Sequence, residues 1–275
     1  MPAQTQPARP EPVTADAARP VRRPLLTQGW HDLTFLHWPV DTAAVRPLIP
    51  PQAQPDLFDG ISYVGLIAFR MHRIGWLGLP GLPYLGSFPE TNVRLYSVGP
   101  DGRRGVVFRS LDAARLLPVL TARAGFRLPY QWSLMRVRQH GDVFSYASQR
   151  RWPRPGPRLR LRVRVGERVT QPSALEQFLT ARWGLHAAWY GGRTIYLPNE
   201  HPRWVLYRAT LVHLEENLIQ AAGLPPPRSG PVSVLYSPGV QVRLGVPRSL
   251  HQVFVGGYCA GQGRLPRGGR VRARR

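Results

Sequence analysis

The chain has 275 residues, of which 37 are basic and 15 acidic, for a formal charge of +22, and every basic residue is arginine. Imine-forming and pyridoxal-phosphate chemistries need a lysine amine that can lose its proton and attack a carbonyl. A guanidinium stays protonated, so both chemistries are excluded.

The length fits one or two domains, and barrel-like folds of this size commonly form one unit. A hydrophobic content of 43% is enough for a sizeable core. Cys259 is the single cysteine, so neither an internal disulfide nor a thiolate metal cluster can form, and a cytoplasmic setting is expected. Residues 1–24, rich in Pro, Ala and Arg, and 264–275, with six arginines and no acid, lack the apolar content to offset ordering. Both are expected to be disordered tails around a single domain spanning 25–263. Arg22-Arg23-Pro24-Leu25-Leu26 has the look of a twin-arginine signal, but no apolar run follows it. The longest uncharged stretch, 74–89, is broken by Pro80, Pro83, Pro89 and four glycines, so no membrane-spanning helix is expected.

In chain order, Asp41 caps a short helix that ends near Pro47. Residues 61–74, 91–98 and 105–109 are rich in β-branched and aromatic side chains, and a Gly-Pro-Asp-Gly turn at 99–102 joins the last two. Asp112 is placed to cap a helix over 113–124. Strands over 131–139 and 143–150 meet at Gly141-Asp142, a hairpin signal.

Residues 158–165 alternate strictly, with Arg158, Arg160, Arg162 and Arg164 on one face of a strand and Leu159, Leu161, Val163 and Val165 on the other. Such a strip pairs with phosphates, or it is the plain solvent face of a half-buried strand in a chain that uses arginine for every basic position. Ser173 and Glu176 form a capping box that opens a helix through Arg182. Gly191-Gly192 links strands over 185–190 and 193–197. A strand over 204–213, a helix over 215–222 closed by Gly223, and further strand over 232–246 complete the domain. No repeat and no long strand–helix alternation appears, so the fold class is α+β, mainly antiparallel sheet curled toward a barrel with a few short helices.

Glu90, Asn92, Arg94 and Tyr96 share one face of their strand, since side chains alternate. A carboxylate, an amide, a guanidinium and a phenol together suit a polar pocket, with Arg94 or Arg123 clamping a substrate carboxylate and Glu90 acting as general acid or base. The alternatives are a buried Glu90–Arg94 or Glu90–Arg123 ion pair, or a solvent face. His37 and Trp38 form a second candidate binding cluster, although a histidine among Phe35, Leu36 and Trp38 also suits a core. His31 and His37, six apart, are expected on one face of a strand, about 20 Å apart, too far to share a metal. No histidine has metal-ligand spacing, no Gly-x-Ser-x-Gly or dinucleotide fingerprint is present, and neither a metal nor a cofactor is implied.

The blocks at 30–41 (WHDLTFLHWPVD), 58–65 (FDGISYVG), 87–96 (SFPETNVRLY), 110–113 (SLDA) and 128–130 (LPY) resemble, in order, those of the YqjF-like family, also called the DUF2071 (COG2071) group. The resemblance covers roughly 25–245. It implies a fold similar to acetoacetate decarboxylase, a curved β-barrel around a small-molecule cavity. In that enzyme family an aromatic-x-Glu strand precedes an arginine and then a Pro-Lys-Lys segment bearing the imine-forming amine. The matching order here is Phe88-Pro89-Glu90, Arg123 and Leu128-Pro129-Tyr130-Gln131, which puts Tyr130 where the amine would stand. The resemblance thus implies catalytic positions at Glu90, Arg123 and Tyr130 without imine chemistry. Two functions are expected from this sequence: a barrel that binds a small anionic or carbonyl-bearing metabolite, as enzyme or binder, or an arginine-rich partner of nucleic acid or an acidic surface.

Overall fold

The computed structural model describes residues 8–76, 86–115, 127–152 and 154–250. Arg123, Cys259, the tail over 264–275 and most of the helix anticipated over 113–124 lie outside the described residues.

Thirteen strands form one sheet: β1 (Leu26–Val40), β2 (Gln54–Pro55), β3 (Ser62–Trp76), β4 (Phe88–Val98), β5 (Arg104–Ala113), β6 (Tyr130–His140), β7 (Val143–Arg150), β8 (Arg158–Val169), β9 (Gly184–Ala188), β10 (Thr194–Glu200), β11 (Leu206–Glu216), β12 (Ser233–Leu244) and β13 (Arg248–Ser249). Among the described residues three short α-helices accompany them: α1 (Thr42–Val45), α2 (Ala174–Thr180) and α3 (Leu218–Ala221). Pairing is antiparallel except where β5 runs parallel to β6 and to β9.

The sheet closes on itself without making a regular barrel. A wall of β12-β1-β3-β4-β5 forks at both edges. β5 pairs with β6 near Leu111 and with β9 at Val106. β12 pairs with β11 near Tyr236 and with β10 near Leu244. One ring therefore runs from the wall through β6, β7, β8 and β11, and a second through β9 and β10. Alternation along the wall strands assigns a face to each ring. Leu36, Trp38, Val64, Leu66, Val93 and Leu95 point one way and pack with Phe144, Leu159, Leu161 and Val163 into a filled core. Phe35, Ile67, Phe69, Glu90, Asn92 and Arg94 point the other way, toward a cavity.

Two bulges set that face. At Asp32 (φ +52°) β1 carries an extra residue between His31↔Arg70 and Thr34↔Ala68, which inverts the alternation. Trp30 thereby joins Leu33 and Phe35 on the cavity side, and His31 and His37 come to lie on opposite faces, contrary to the simple strand count. Across β4 and β5 the register shifts between Val93↔Ser110 and Arg94↔Phe108, so Phe108 and Leu111 both face the cavity.

Several local expectations change. Asp112 does not cap a helix: it and Ala113 complete β5 opposite Thr91 and Glu90, because the ladder continues and Arg150 pairs with the Asp112 carboxylate at 3.0 Å. The helix anticipated over 215–222 shrinks to α3, since Glu215 and Glu216 still pair with Arg160 and Leu159 of β8. The capping box of Ser173 and Glu176 is present, but α2 stops at Thr180. Residues 8–24, placed in a tail by composition, lie against the body: Glu11 N–H donates to the Gly102 carbonyl at 2.9 Å, Arg104 Nε donates to the Glu11 carbonyl at 2.6 Å, and Val21 is buried.

Candidate functional site

The second ring encloses a cavity of about 320 Å³. Glu90, Asn92 and Arg94 reach it from β4, Tyr130 from the start of β6, Arg182 from the segment after α2, and Asn199 from β10. Beside them on the same sheet face the lining is aromatic, and Trp204 joins it from outside that sheet wall. Trp30 and Trp204 stack at 6.3 Å with their planes 17° apart, Phe35 meets Trp204 edge-on at 5.3 Å, and Phe69 lies 5.9 Å from Trp30.

The cationic end is built on the C-terminus of α2, whose last carbonyls have no partner within the helix. Arg182 Nε donates to the Phe178 carbonyl at 2.9 Å, and Trp204 Nε1 donates to that of Thr180 at 3.0 Å. Arg94 Nη2 and the Tyr96 hydroxyl both donate to the Leu179 carbonyl, at 2.8 and 2.9 Å. Carbonyl dipoles aligned at a helix end favour such cations. Arg94 also lies 5.7 Å from the Phe35 ring centroid and 5.6 Å from that of Tyr96. Arg182 pairs with the buried Asp56, which Arg104 shares. Among the described residues no carboxylate lies within ion-pair distance of Arg94.

Glu90 is 3% exposed. Its Oε2 accepts a hydrogen bond from the Tyr130 hydroxyl at 3.2 Å, and among the described residues it has no ion pair. Burial pushes its carboxyl from 4.5 up to about 8, the nearby Asp112 adds to the rise, and hydrogen bonds from Tyr130 and Asn92 oppose it. At neutral pH Glu90 is thus mainly the neutral acid. Tyr130 is pushed well above 10, by burial first and then by Glu90. Behind Glu90, Asp112 is fully buried and held by Arg150 and by Ser133 Oγ at 3.0 Å.

Of the residues singled out from sequence, Glu90, Asn92, Arg94 and Tyr130 converge on one cavity. Neither a Glu90–Arg94 ion pair nor a solvent face is found. Tyr96 stands just outside the lining, its ring 5.5 Å from Phe178. His37 is fully buried 6.2 Å from Tyr96 and does not reach the cavity; burial and then the Arg94 charge hold its imidazole well below 6.5. Trp38 belongs to the filled core and donates to the Ser229 carbonyl at 3.0 Å. Trp30, Arg182, Asn199, His201 and Trp204 line the cavity without having been singled out. Only Trp30 carried a signal, as the first residue of a family block, and its face depends on the Asp32 bulge. Among the described residues no group of three His, Cys, Asp or Glu is placed to hold a metal ion, and no helix is long and apolar enough to cross a membrane.

Comparison with known proteins agrees with this architecture. The family described as "Uncharacterized conserved protein (COG2071)", DUF2071, matches residues 27–241. The chain belongs to the DUF2071 family. Uncharacterized protein YqjF of Bacillus subtilis (strain 168) is 31% identical over 209 residues, covering 76% of this chain and 86% of that protein. Among solved structures, the enduracididine biosynthesis enzyme MppR complexed with pyruvate aligns with a TM-score of 0.57 at 14% identity, over 86% of this chain and 93% of its own. Acetoacetate decarboxylase from Legionella pneumophila aligns with a TM-score of 0.54 at 14% identity, over 90% and 93%. At such identities these structures establish that this DUF2071 member has an acetoacetate decarboxylase-like fold.

Proposed function

We propose that the protein binds a small carboxylate- or carbonyl-bearing metabolite in the cavity of the second ring, with Arg94 as counter-charge to the anion and Glu90 as proton donor. The observation that carries this reading is the buried Glu90 carboxyl and the Arg94 guanidinium, which among the described residues has no carboxylate partner, on one strand face lining the cavity. A neutral Glu90 can donate to a carbonyl oxygen or protonate an enolate, while Tyr130 and Asn92 orient it. Arg123, implied by the family resemblance, is a further candidate for the anion clamp. Imine formation is excluded by the absence of lysine. MppR, a neighbour of the same fold, is complexed with pyruvate, a keto acid, which supports the ligand class.

Thermal-shift screening with short carboxylic and keto acids tests the proposal. Binders are expected to raise the melting temperature of the wild type, and Glu90→Gln and Arg94→Gln to reduce the shift. If no such acid shifts melting, the cavity reading fails.

A separate surface favours a second reading, contact with a polyanion. The alternating strip on β8 is exposed, and β6 adds arginines beside it. Register places Arg138, Ser145 and Arg162 in one row across β6-β7-β8, and Arg136, Ala147 and Arg160 in the next. All four arginines are exposed around the small β7 residues, and among the described residues none makes an ion pair. Binding to single-stranded DNA that weakens steeply with salt, and that Arg136→Gln with Arg162→Gln reduces, is the expected result. Salt-independent or absent binding removes this reading.

A further inference from the structure

Glu90 and Arg94 share a face but sit four residues apart, which on a strand separates their Cα atoms by about 13 Å. The Arg94 side chain does not fold back toward Glu90: it donates to Leu179 and lies beside Phe35 and Tyr96. The cavity also grows more apolar along β4. Arg94 pairs in register with Gly65, Asn92 with Ile67, Glu90 with Phe69 and Phe88 with Met71, and beyond Met71 the lining continues with Ile74 and Trp76. One end is therefore cationic, the middle holds a single acid, and the far end is apolar apart from Gln28.

The volume points the same way. At roughly 30 Å³ per water in the liquid, about 320 Å³ corresponds to about ten water-sized units. Pyruvate and acetoacetate, with six and seven non-hydrogen atoms, would leave much of the apolar wall without contact, and an unfilled apolar cavity forfeits dispersion and burial alike.

We propose that the ligand is an elongated monocarboxylate whose carboxylate sits at Arg94 and whose acyl or arylalkyl tail runs along β4, past Glu90, to the wall of Phe88, Met71, Ile74 and Trp76. This rests on the proposed function and narrows it: the substrate class is amphipathic, larger than the three- and four-carbon keto acids. Because the tail passes Glu90, a carbonyl within the chain would meet the proton donor several atoms from the carboxylate.

The test is calorimetric titration of the full chain with butyrate, octanoate and tetradecanoate, with pyruvate and octanol as controls. Burial of each methylene strengthens binding by roughly fourfold, so the four further methylenes of octanoate are expected to tighten binding roughly 250-fold over butyrate, with a further gain for tetradecanoate. Octanol is expected to bind far more weakly than octanoate, since it lacks the charge that Arg94 meets. Met71→Trp, which fills the apolar end about 20 Å along β4 from Arg94, should cost tetradecanoate tenfold or more and leave butyrate nearly unchanged. Its circular dichroism and melting curve report whether it folds. An affinity that does not change with chain length overturns the elongated-ligand proposal while leaving the small-acid reading in place; octanol as tight as octanoate overturns both, since both set a carboxylate against Arg94. If no acid binds, both fail.

Discussion

The Tyr130 hydroxyl donates to Glu90 Oε2 at 3.2 Å, joining the first residue of β6 to β4 across the intervening β5. The family resemblance places this tyrosine where the related decarboxylases carry an amine. An ammonium there would hold a neighbouring carboxylate ionised; a phenol supplies only a neutral hydrogen bond, and burial prevails. With the Tyr130 phenol as its neighbour, Glu90 stays a neutral acid, pushed up to about 8.

Tyr130→Phe deletes the bond that opposes the rise, so the Glu90 carboxyl should titrate above its wild-type value of about 8. Carbon-detected NMR of glutamate carboxyls across pH 5 to 10 measures this. An unchanged or lower midpoint would show that the hydroxyl does not act on Glu90.

Glu90 also links stability to pH. Its folded value, about 8, lies above its unfolded value of 4.5. The stability it contributes is complete below about 4.5 and is lost as pH rises through about 8, because the folded state holds a proton that the unfolded chain has released. Glu90→Gln cannot ionise and should be more stable than wild type at pH 9 than at pH 5, relative to the same comparison, by about 2–4 kcal/mol. Urea unfolding of both proteins at the two pH values decides it; a pH-independent difference contradicts the linkage.

Asp112 and Arg150 form a buried ion pair beneath the site. Asp112→Asn leaves Arg150 without its charge partner and should cost about 3–5 kcal/mol. The same change removes a negative charge that raises Glu90, so the Glu90 midpoint should fall. A drop in stability with no shift at Glu90 would mean that the two carboxyls do not sense each other.

Three buried imidazoles make the fold sensitive to acid. Burial, with nearby arginines adding to it, lowers His186 to about 3, His201 to about 4, and His37 well below 6.5. Their stability contribution is present above about 6.5 and is lost as pH falls through the folded values, since the unfolded chain takes up protons first. Melting temperature should decline from pH 6.5 to pH 4. His186→Asn, which can keep a hydrogen bond to Ser97, should flatten the pH dependence of unfolding by about one proton. An unchanged slope would exclude His186 as a contributor.

Gly239 sits opposite His31 at the bulge that turns Trp30 into the cavity. Its φ is +136°, and a Cβ there would meet the Trp30 carbonyl oxygen at 2.2 Å. Gly239→Ala should destabilise by about 2 kcal/mol or more through strain and displaced backbone. Trp30 fluorescence should also change, read in a background where the other tryptophans are replaced by phenylalanine as stability permits. A silent substitution would mean that the bulge can form without glycine.

Local patterns carried much of the architecture. The hairpin at Gly141-Asp142, the Ser173–Glu176 capping box and the alternating strip at 158–165 all depend on neighbours in sequence, and all are present. Where local and distant forces compete, the distant one prevails: Asp112 has the chemistry of a helix cap, yet the ladder to β4 and the pair with Arg150 keep it in β5.

By itself the sequence determined that no amine nucleophile exists, that the chain folds as a mainly antiparallel sheet with DUF2071 blocks, and that Glu90, Asn92, Arg94 and Tyr96 alternate onto one strand face. The first follows from composition, the sheet and the shared face from a period of two along the strands, and the family blocks from resemblance alone. Only the tertiary structure decided that this face is buried, that Tyr130 reaches Glu90, that Arg182 and Trp204 complete the wall, and that Trp30 joins it. Those facts depend on a bulge that inverts alternation and on closure of two rings between strands far apart in the chain. The charge of +22 changes meaning in the same way: as a total it names no partner, but folding buries Arg94, Arg150 and Arg182 and lays Arg136, Arg138, Arg160 and Arg162 in two exposed rows.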